Sequence, residues 1–450
     1  MRQPGLFALL REQNALERGP RAAIEAAQLR KFRALVSHAY DTTVHYRRVF
    51  DQAGVHPSEV RSLKDVGRLP VLTKEEVRYH IEEMVSSTAD RGSLAQIYSG
   101  GSTGVPTMVY QPRSWEPFGS AKNVAFHRLL GLEYGDKTAY LWGLNRRNAP
   151  VELGRNRWWL WFLKNQMVLD AFDLTEERMA RFAGMIRRFR PRLLIGYASA
   201  LVLFSEFIRK RGLAIPGLRA VCSTAERLYD EQRRGVESAM AAPVFNLYGS
   251  TEIPWIACEC GTRQGMHVFE DSRMIETLPF EGESAGGRLV VTDLENWACP
   301  LIRYELGDLG TLDAVPCPCG RTSLRIRNIY GRISDVFVFP GGKHVHGEYF
   351  THVFYGYRDR FKQFQVHQLA PTRLRVRLVP AIEGSDADAR TRWEHALTEE
   401  FRRATGPGVT AEFEYVTVIP PEPSGKFRFT KSDVGSSCVH GGRPESRDCK

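Results

Sequence analysis

The residues best suited to chemistry are Tyr98-Ser99-Gly100-Gly101-Ser102-Thr103-Gly104-Val105-Pro106-Thr107, set between the apolar runs 94–97 and 108–110. Glycines at 100, 101 and 104 allow backbone angles closed to other residues, so successive N–H groups can converge on an anion while Ser99, Ser102 and Thr103 add hydroxyl donors. The chemistry that suits such a turn is phosphate binding. No Gly-Lys-Ser/Thr closes the stretch and the three-glycine spacing of a dinucleotide fingerprint is missing, so neither of those nucleotide folds is expected.

A second group of reactive side chains lies downstream. Cys258-Glu259-Cys260, His267 and Cys317-Pro318-Cys319 supply soft ligands in two clusters, the pattern of a tetrahedral zinc site. Cys260, His267, Cys317 and Cys319 form the favoured set, with Cys258 as a substitute ligand. Four protein ligands would make such a metal structural. The alternative is a group of reduced structural thiols beside a hydrogen-bonded histidine.

The elements that must position these groups alternate. Residues 7–65 have helical character, and Thr73 is an N-cap candidate for a helix opening at Lys74. Beyond the glycine loop, helices are expected at 115–132, 174–189, 198–210 and 230–240, with strands at 138–143, 193–197, 218–222 and 244–248. This βαβ rhythm implies an α/β protein with a mostly parallel sheet, and ligands of such sheets gather beyond the carboxyl ends of the strands. Ser223-Thr224-Ala225-Glu226 and Gly249-Ser250-Thr251-Glu252 both follow strand ends. Short strands are then expected at 288–293 and 301–304, and a smaller α+β segment beyond Gly331 carries strands near 336–338 and 374–378 and a helix near 389–405.

With 450 residues the chain should form two or three domains. Its 43% hydrophobic and 25% charged residues are ordinary for a globular protein, and the expectation is a cytoplasmic chain without membrane insertion. The formal net charge of +10 raises the question of a nucleic-acid partner, but clusters such as Arg187-Arg188-Phe189-Arg190-Pro191-Arg192 are short and dispersed, so nucleic acid is not expected. Eight cysteines are too few for a disulfide scaffold in a chain of this length.

Taken together and in order, the glycine loop, Glu226, Tyr248-Gly249-Ser250-Thr251-Glu252, Arg303-Tyr304-Glu305-Leu306-Gly307-Asp308, Gly331-Arg332 and Gly425-Lys426 resemble the adenylate-forming superfamily of acyl-CoA synthetases. Within it the chain is most similar to the phenylacetate-CoA ligase and CapK-like branch, over nearly all of residues 20–430. The resemblance implies a large N-terminal adenylate-forming domain with mixed, mostly parallel sheets and a helical lead-in, plus a small mobile α+β C-terminal domain. The boundaries it implies are 1–75 for the lead-in, 76–330 for the AMP-binding domain, 331–433 for the small domain and 434–450 for a disordered tail.

It also implies an ATP-dependent ligase. A carboxylate would attack the α-phosphate of ATP, pyrophosphate would leave, and coenzyme A would take the acyl group, with an amine or a carrier-protein thiol as the alternative acceptor. By the resemblance, Ser99, Gly100, Gly101, Ser102, Thr103 and Gly104 hold phosphates, and Thr224, Ala225 and Glu226 line the adenine side. Asn246, Leu247, Tyr248, Gly249 and Ser250 continue the nucleotide site, Thr251 touches the α-phosphate and Glu252 holds Mg2+. Asp308 binds the ribose, Arg332 contacts the nucleotide, and Lys426 bridges the carboxylate and α-phosphate. Some members of the branch carry a metal such as the zinc suggested by the cysteines. Ala225-Arg227 replaces the family's usual glycine and proline around Glu226, and Ser334-Asp335 its usual Asp-Asp at the hinge. Trp158, Trp159, Trp161 and Phe162 could line an acyl pocket, and His127 could gate it, although a helix-surface position is the simpler expectation for that histidine.

Overall fold

The computed structural model describes residues 5–98, 107–113, 116–142, 164–171, 174–280, 286–332, 336–357, 360–381, 387–420 and 427–434. The leading segment forms helices α1 (Leu6–Glu17), α2 (Arg21–Thr42) and α3 (Val44–Gln52). On α2 the buried positions Ile24, Ala27, Gln28, Phe32, Leu35, Val36 and Ala39 recur at helical spacing and form one stripe. Helix α4 (Lys74–Met84) starts where the sequence places it: Thr73 Oγ1 accepts from the Glu76 N–H at 3.2 Å, and Glu76 Oε2 accepts from the Thr73 N–H at 2.7 Å.

Strands β1 (Leu94–Tyr98) and β2 (Met108–Pro112) pair antiparallel with Tyr98 opposite Met108. Then come α5 (Glu116–Leu129), β3 (Thr138–Trp142), β4 (Gln166–Asp170), α6 (Glu176–Phe189), β5 (Leu193–Tyr197), α7 (Ala198–Lys210), β6 (Ala220–Thr224), α8 (Asp230–Met240) and β7 (Val244–Tyr248). Short strands β8 (Ala257–Glu259), β9 (Met266–Val268), β10 (Arg273–Leu278), β11 (Gly287–Asp293), β12 (Tyr304–Asp313) and β13 (Arg325–Arg332) follow.

These build a sheet of order β10-β11-β12-β13-β9-β8-β7-β6-β5-β3-β4. Pairing is parallel from β4 through β3, β5 and β6 to β7, and antiparallel at β7–β8, β8–β9 and β9–β13. The α/β class with a mixed sheet is as expected. The central parallel strands β5 and β6 are buried along their whole length, as strands covered on both faces must be. Gly196 on β5 is required by close packing, since a Cβ there would stand 2.9 Å from Leu141 Cβ on β3.

By internal contacts the chain divides into two units. The first comprises Met1–Glu276, Val290–Leu306 and Leu312–Asn328, and residues of all eleven large-sheet strands belong to it. The second comprises Thr277–Leu289, Gly307–Thr311 and Ile329–Lys450. Its elements include the hairpin of β14 (Val336–Phe339) and β15 (Lys343–His346), helix α9 (Glu348–Tyr355), strands β16 (Phe361–Ala370) and β17 (Arg373–Pro380), helix α10 (Ala387–Thr405), and strands β18 (Thr410–Tyr415) and β19 (Thr430–Ser432). The sheet order is β18-β17-β16-β19, over a core that includes Phe337, Phe350, Phe354, Phe364 and Phe401. Buried Gln368 holds β14 to this sheet: its Oε1 accepts from the Val338 N–H at 3.1 Å and its Nε2 donates to the Val338 carbonyl at 2.7 Å.

Two expectations shift. The strand expected at 218–222 runs two residues later. The strand expected at 301–304 begins only at Tyr304, because Arg303 adopts a left-handed φ of 52° that breaks the extended run. The turn directs the buried Arg303 guanidinium onto the Glu276 carboxylate at 3.1 and 3.2 Å and onto the carbonyls of Gly67 and Leu69. Leu72 bridges the next residue, donating to the Arg303 carbonyl and accepting from the Glu305 N–H, each at 2.9 Å. Among the described residues no helix is long and apolar enough to cross a membrane.

Arg303→Ala strands a carboxylate and two carbonyls at once, and we expect it to cost about 3 kcal/mol in urea denaturation. A loss below about 1 kcal/mol would show the cluster to be solvated rather than structural.

Candidate functional site

Parallel register sets the first unit's candidate residues in a row. Tyr197 pairs with Thr224, Thr224 with Leu247, and Leu141 with Gly196, so Trp142, Tyr197, Thr224 and Leu247 stand level at the carboxyl ends of β3, β5, β6 and β7. The Trp142 and Tyr197 rings lie 4.9 Å apart at this edge. Thr224 is buried, and Ala225 turns the chain sharply with a left-handed φ of 67°. Glu226 then faces back. Its Oε2 accepts from the Ser199 N–H at 2.7 Å and its Oε1 from the Ser199 hydroxyl at 3.0 Å, so the carboxylate caps the positive N-terminal end of α7.

The segment after β7 is held as tightly. Asn246 donates its backbone N–H to Glu259 Oε2 at 2.7 Å, and Arg233 grips the same buried carboxylate through two hydrogen bonds of 2.9 and 3.0 Å. Beyond Tyr248, the Ser250 N–H donates to the Ile253 carbonyl and the Ile253 N–H to Ser250 Oγ, both at 3.0 Å. A Cβ on Gly249 would lie 3.0 Å from the Trp255 nitrogen, so only glycine fits this reverse turn without displacement. Thr251 is exposed at the turn while Glu252 is buried. Glu252 Oε1 accepts from the Tyr304 hydroxyl at 3.0 Å, and Gln111 of β2 donates to the Glu252 carbonyl at 3.3 Å. Sequence reasoning singled out Glu252 but not Tyr304 as its partner. Only the register of β12 brings that phenol to the carboxylate.

Ser99, Gly100, Gly101, Ser102, Thr103 and Gly104 lie outside the described residues, as do Lys426 and the tryptophans at 158, 159 and 161. The loop's described flank is anchored, since buried Thr107 accepts from Arg78 Nε at 3.0 Å. Asp308, on β12 directly after Gly307, belongs to the second unit, as does the backbone of Arg332 at the end of β13. On the far side of position 426, Phe427 packs on Phe429 at 4.8 Å and the Val366 N–H donates to the Phe429 carbonyl at 2.8 Å. His127 is not on a helix surface: it is buried, with Nδ1 2.7 Å from the Asn123 carbonyl and its ring edge-on to Tyr134. Burial depresses its pKa despite the hydrogen bond to Asn123.

The cysteine clusters converge. One ligand atom each from Cys260, His267, Cys317 and Cys319 lies within 4.8 Å of every other. Cys260 Sγ and Cys317 Sγ are 3.8 Å apart, and Cys319 Sγ lies 3.4 Å from His267 Nε2. Zinc–sulfur bonds of about 2.3 Å and zinc–nitrogen bonds of about 2.0–2.1 Å at tetrahedral angles require roughly 3.8 and 3.6 Å for these pairs. The donor set therefore fits a tetrahedral ion. Burial, with Arg321 and Arg325 nearby, lowers the His267 pKa to about 4, which keeps the imidazole in the neutral form a metal needs. Ser323 Oγ, 2.7 Å from Nδ1, orients the ring. Burial raises the Cys317 thiol's pKa, but hydrogen bonds from Thr262, Cys319 and Cys260 outweigh it and hold the value below normal. Cys258 is not part of this group. It sits within β8 next to Cys222, and burial pushes its pKa well up.

A parallel core carrying the Glu226 turn after β6 and the Ser250–Ile253 loop after β7, with an α+β unit later in the chain, is the architecture of the adenylate-forming ligases. A crystal structure of 2-hydroxyisobutyryl-CoA ligase in the postadenylation state, bound to an acyl-AMP, shares the fold with a TM-score of 0.73 at 20% identity, covering 94% of this chain and 92% of that one. Residues 337–433 match the family model described as the CapK C-terminal domain. Phenylacetate-coenzyme A ligase of Thermus thermophilus is 31% identical over 73% of this chain and 75% of its own length, and Protein CapK of Staphylococcus aureus is 24% identical over 90% and 89%. The chain belongs to the phenylacetate-coenzyme A ligase family.

Because its carboxylate caps α7, Glu226→Ala should lower stability by about 1 kcal/mol in thermal denaturation. An unchanged melting temperature would mean that the cap is made by other groups.

Proposed function

We propose that this chain activates a carboxylic acid with ATP, forming an acyl-adenylate and releasing pyrophosphate, and then passes the acyl group to coenzyme A. The observation that carries the reading is family membership through a relative matched over three quarters of its length, with the motif residues on the turns after β6 and β7. We infer the organisation that goes with it: a lead-in over 1–75, an adenylation domain over 76–330 and a small domain over 331–433.

The division of labour follows from the residue types. Ser99, Gly100, Gly101, Ser102, Thr103 and Gly104 hold phosphates through backbone N–H groups and hydroxyls. Thr224, Ala225, Asn246, Leu247, Tyr248, Gly249 and Ser250 frame the nucleotide, while Glu226 acts indirectly by fixing the turn. Exposed Thr251 meets the α-phosphate. Glu252, a hard oxygen ligand oriented by Tyr304, holds Mg2+, which would neutralise phosphate charge. Asp308 accepts hydrogen bonds from the ribose hydroxyls, and Arg332 contacts the nucleotide. Lys426 places a point charge where negative charge develops between carboxylate and α-phosphate. We further propose that Cys260, His267, Cys317 and Cys319 hold a structural Zn2+, supported by the two interatomic separations and the neutral imidazole.

Lys426→Ala is expected to cut carboxylate-dependent pyrophosphate release by about 100-fold or more with the fold retained. Normal adenylation by that variant would refute the assignment. A pyrophosphate-release screen over aryl, fatty and amino acids, with mass spectrometry of products formed in the presence of coenzyme A or amines, identifies the acid and acceptor. An amide product without a thioester would replace coenzyme A as acceptor.

Metal analysis of protein prepared without chelators should find one zinc per chain, lost in Cys317→Ser and kept in Cys258→Ser. Well below one zinc in folded wild-type protein would overturn the metal assignment.

A further inference from the structure

The short basic cluster 187–192 has no part in the proposed reaction, yet the fold gives it a shape. Arg187, Arg188 and Arg190 line a shallow, open surface depression of about 520 Å³ together with Gly184 and Pro216. All three arginines are exposed, and among the described residues none has an acidic partner. Their neighbour differs, since Arg192 pairs with Asp136 at 3.4 Å. The opposite wall is brought in by the loop before β6: the Arg219 N–H donates to the Arg192 carbonyl at 2.8 Å, and Gly217 approaches Arg190 closely enough that a Cβ there would lie 3.9 Å from the arginine's own Cβ.

Helix-end electrostatics explain part of this charge. Arg187 and Arg188 occupy the last turn of α6, where cations complement the negative end of the helix dipole. Arg190 lies past the helix in a left-handed conformation, φ 53° and ψ 60°, which is unfavourable for a residue with a side chain. Three exposed guanidinium groups around one depression raise the local positive potential, which favours an anion among them most at low salt. Guanidinium forks bind phosphate oxygens in pairs, and the volume lies within the range of small-molecule sites.

The place in the fold separates this depression from the candidate active site. Arg192 and Arg219 immediately precede β5 and β6, at the amino ends of the strands, whereas Thr224, Ala225 and Glu226 follow the carboxyl end of β6. Five-residue strands rising about 3.3 Å per residue put roughly 13 Å of sheet between the two edges.

We propose that the open depression of Arg187, Arg188 and Arg190 binds a small oligophosphate anion, of the size of a nucleoside polyphosphate, at a site distinct from the one that adenylates the acid. The full-length chain is titrated with inorganic tripolyphosphate by calorimetry at low and moderate salt, with the adenylation site first filled by a nonhydrolysable acyl-adenylate analogue. The expected result is one site that remains after this filling, weakens as salt rises, and loses at least tenfold in affinity in the Arg187→Ala, Arg188→Ala, Arg190→Ala triple variant. That variant should keep its carboxylate-dependent pyrophosphate release, which shows that it is folded. Absence of tripolyphosphate binding, binding abolished by the acyl-adenylate analogue, or affinity unchanged in the triple variant would each overturn the proposal. Arginine-dependent binding of single-stranded RNA or anionic vesicles without tripolyphosphate binding would also overturn it, by marking a surface for macromolecules.

Discussion

Parallel pairing imposes one demand on which the candidate site depends: every strand must end at the same edge, and the chain must leave that edge without orphaning backbone groups. In this protein β5, β6 and β7 end within one residue of each other in register, and each exit is secured differently. After β5 the chain enters α7 directly, after β6 it turns through Ala225 into Glu226, and after β7 it closes a hydrogen-bonded loop between Ser250 and Ile253. Glu226 joins the first two exits by capping α7. The same contacts that satisfy stranded N–H groups therefore decide which side chains remain free to face a ligand.

Much of this was legible in the sequence because periodicity and caps are local. The helices at α7 and α8 and the cap at Thr73 could be read from residue order alone, since apolar spacing and a Thr-x-x-Glu pair are complete within a few residues. Less legible were features that need a distant partner. Arg303 reads as a motif residue, but its left-handed turn and its grip on Glu276 and two carbonyls depend on segments far away in the chain. Cys258 stays a substitute for Cys260 in sequence terms, and only the fold sends one toward Cys222 and the other toward Cys317. His127 likewise reads as a surface residue until Tyr134 and the Asn123 carbonyl enclose it.

The second unit shows the same economy with different chemistry. Its core is dominated by phenylalanine rings, and the fully buried amide of Gln368 satisfies both the N–H and the carbonyl of Val338 while accepting from Ser432 at 2.7 Å. A buried polar group with all of these partners specifies the position of β14 and β19 more sharply than apolar packing could. The chain just beyond Lys426 is thereby tied to a rigid sheet.

Arg321 gives the cysteine–histidine cluster a reach beyond its own strands. Two residues beyond Cys319, its guanidinium donates to Glu17 of α1 at 2.7 Å, joining residues 304 positions apart. If the proposed ion binds there, its ligation and the docking of the N-terminal helix would be linked equilibria: whatever free energy the ion contributed by preferring the assembled cluster would also favour the helix in place, and the helix would return the same amount to the ion.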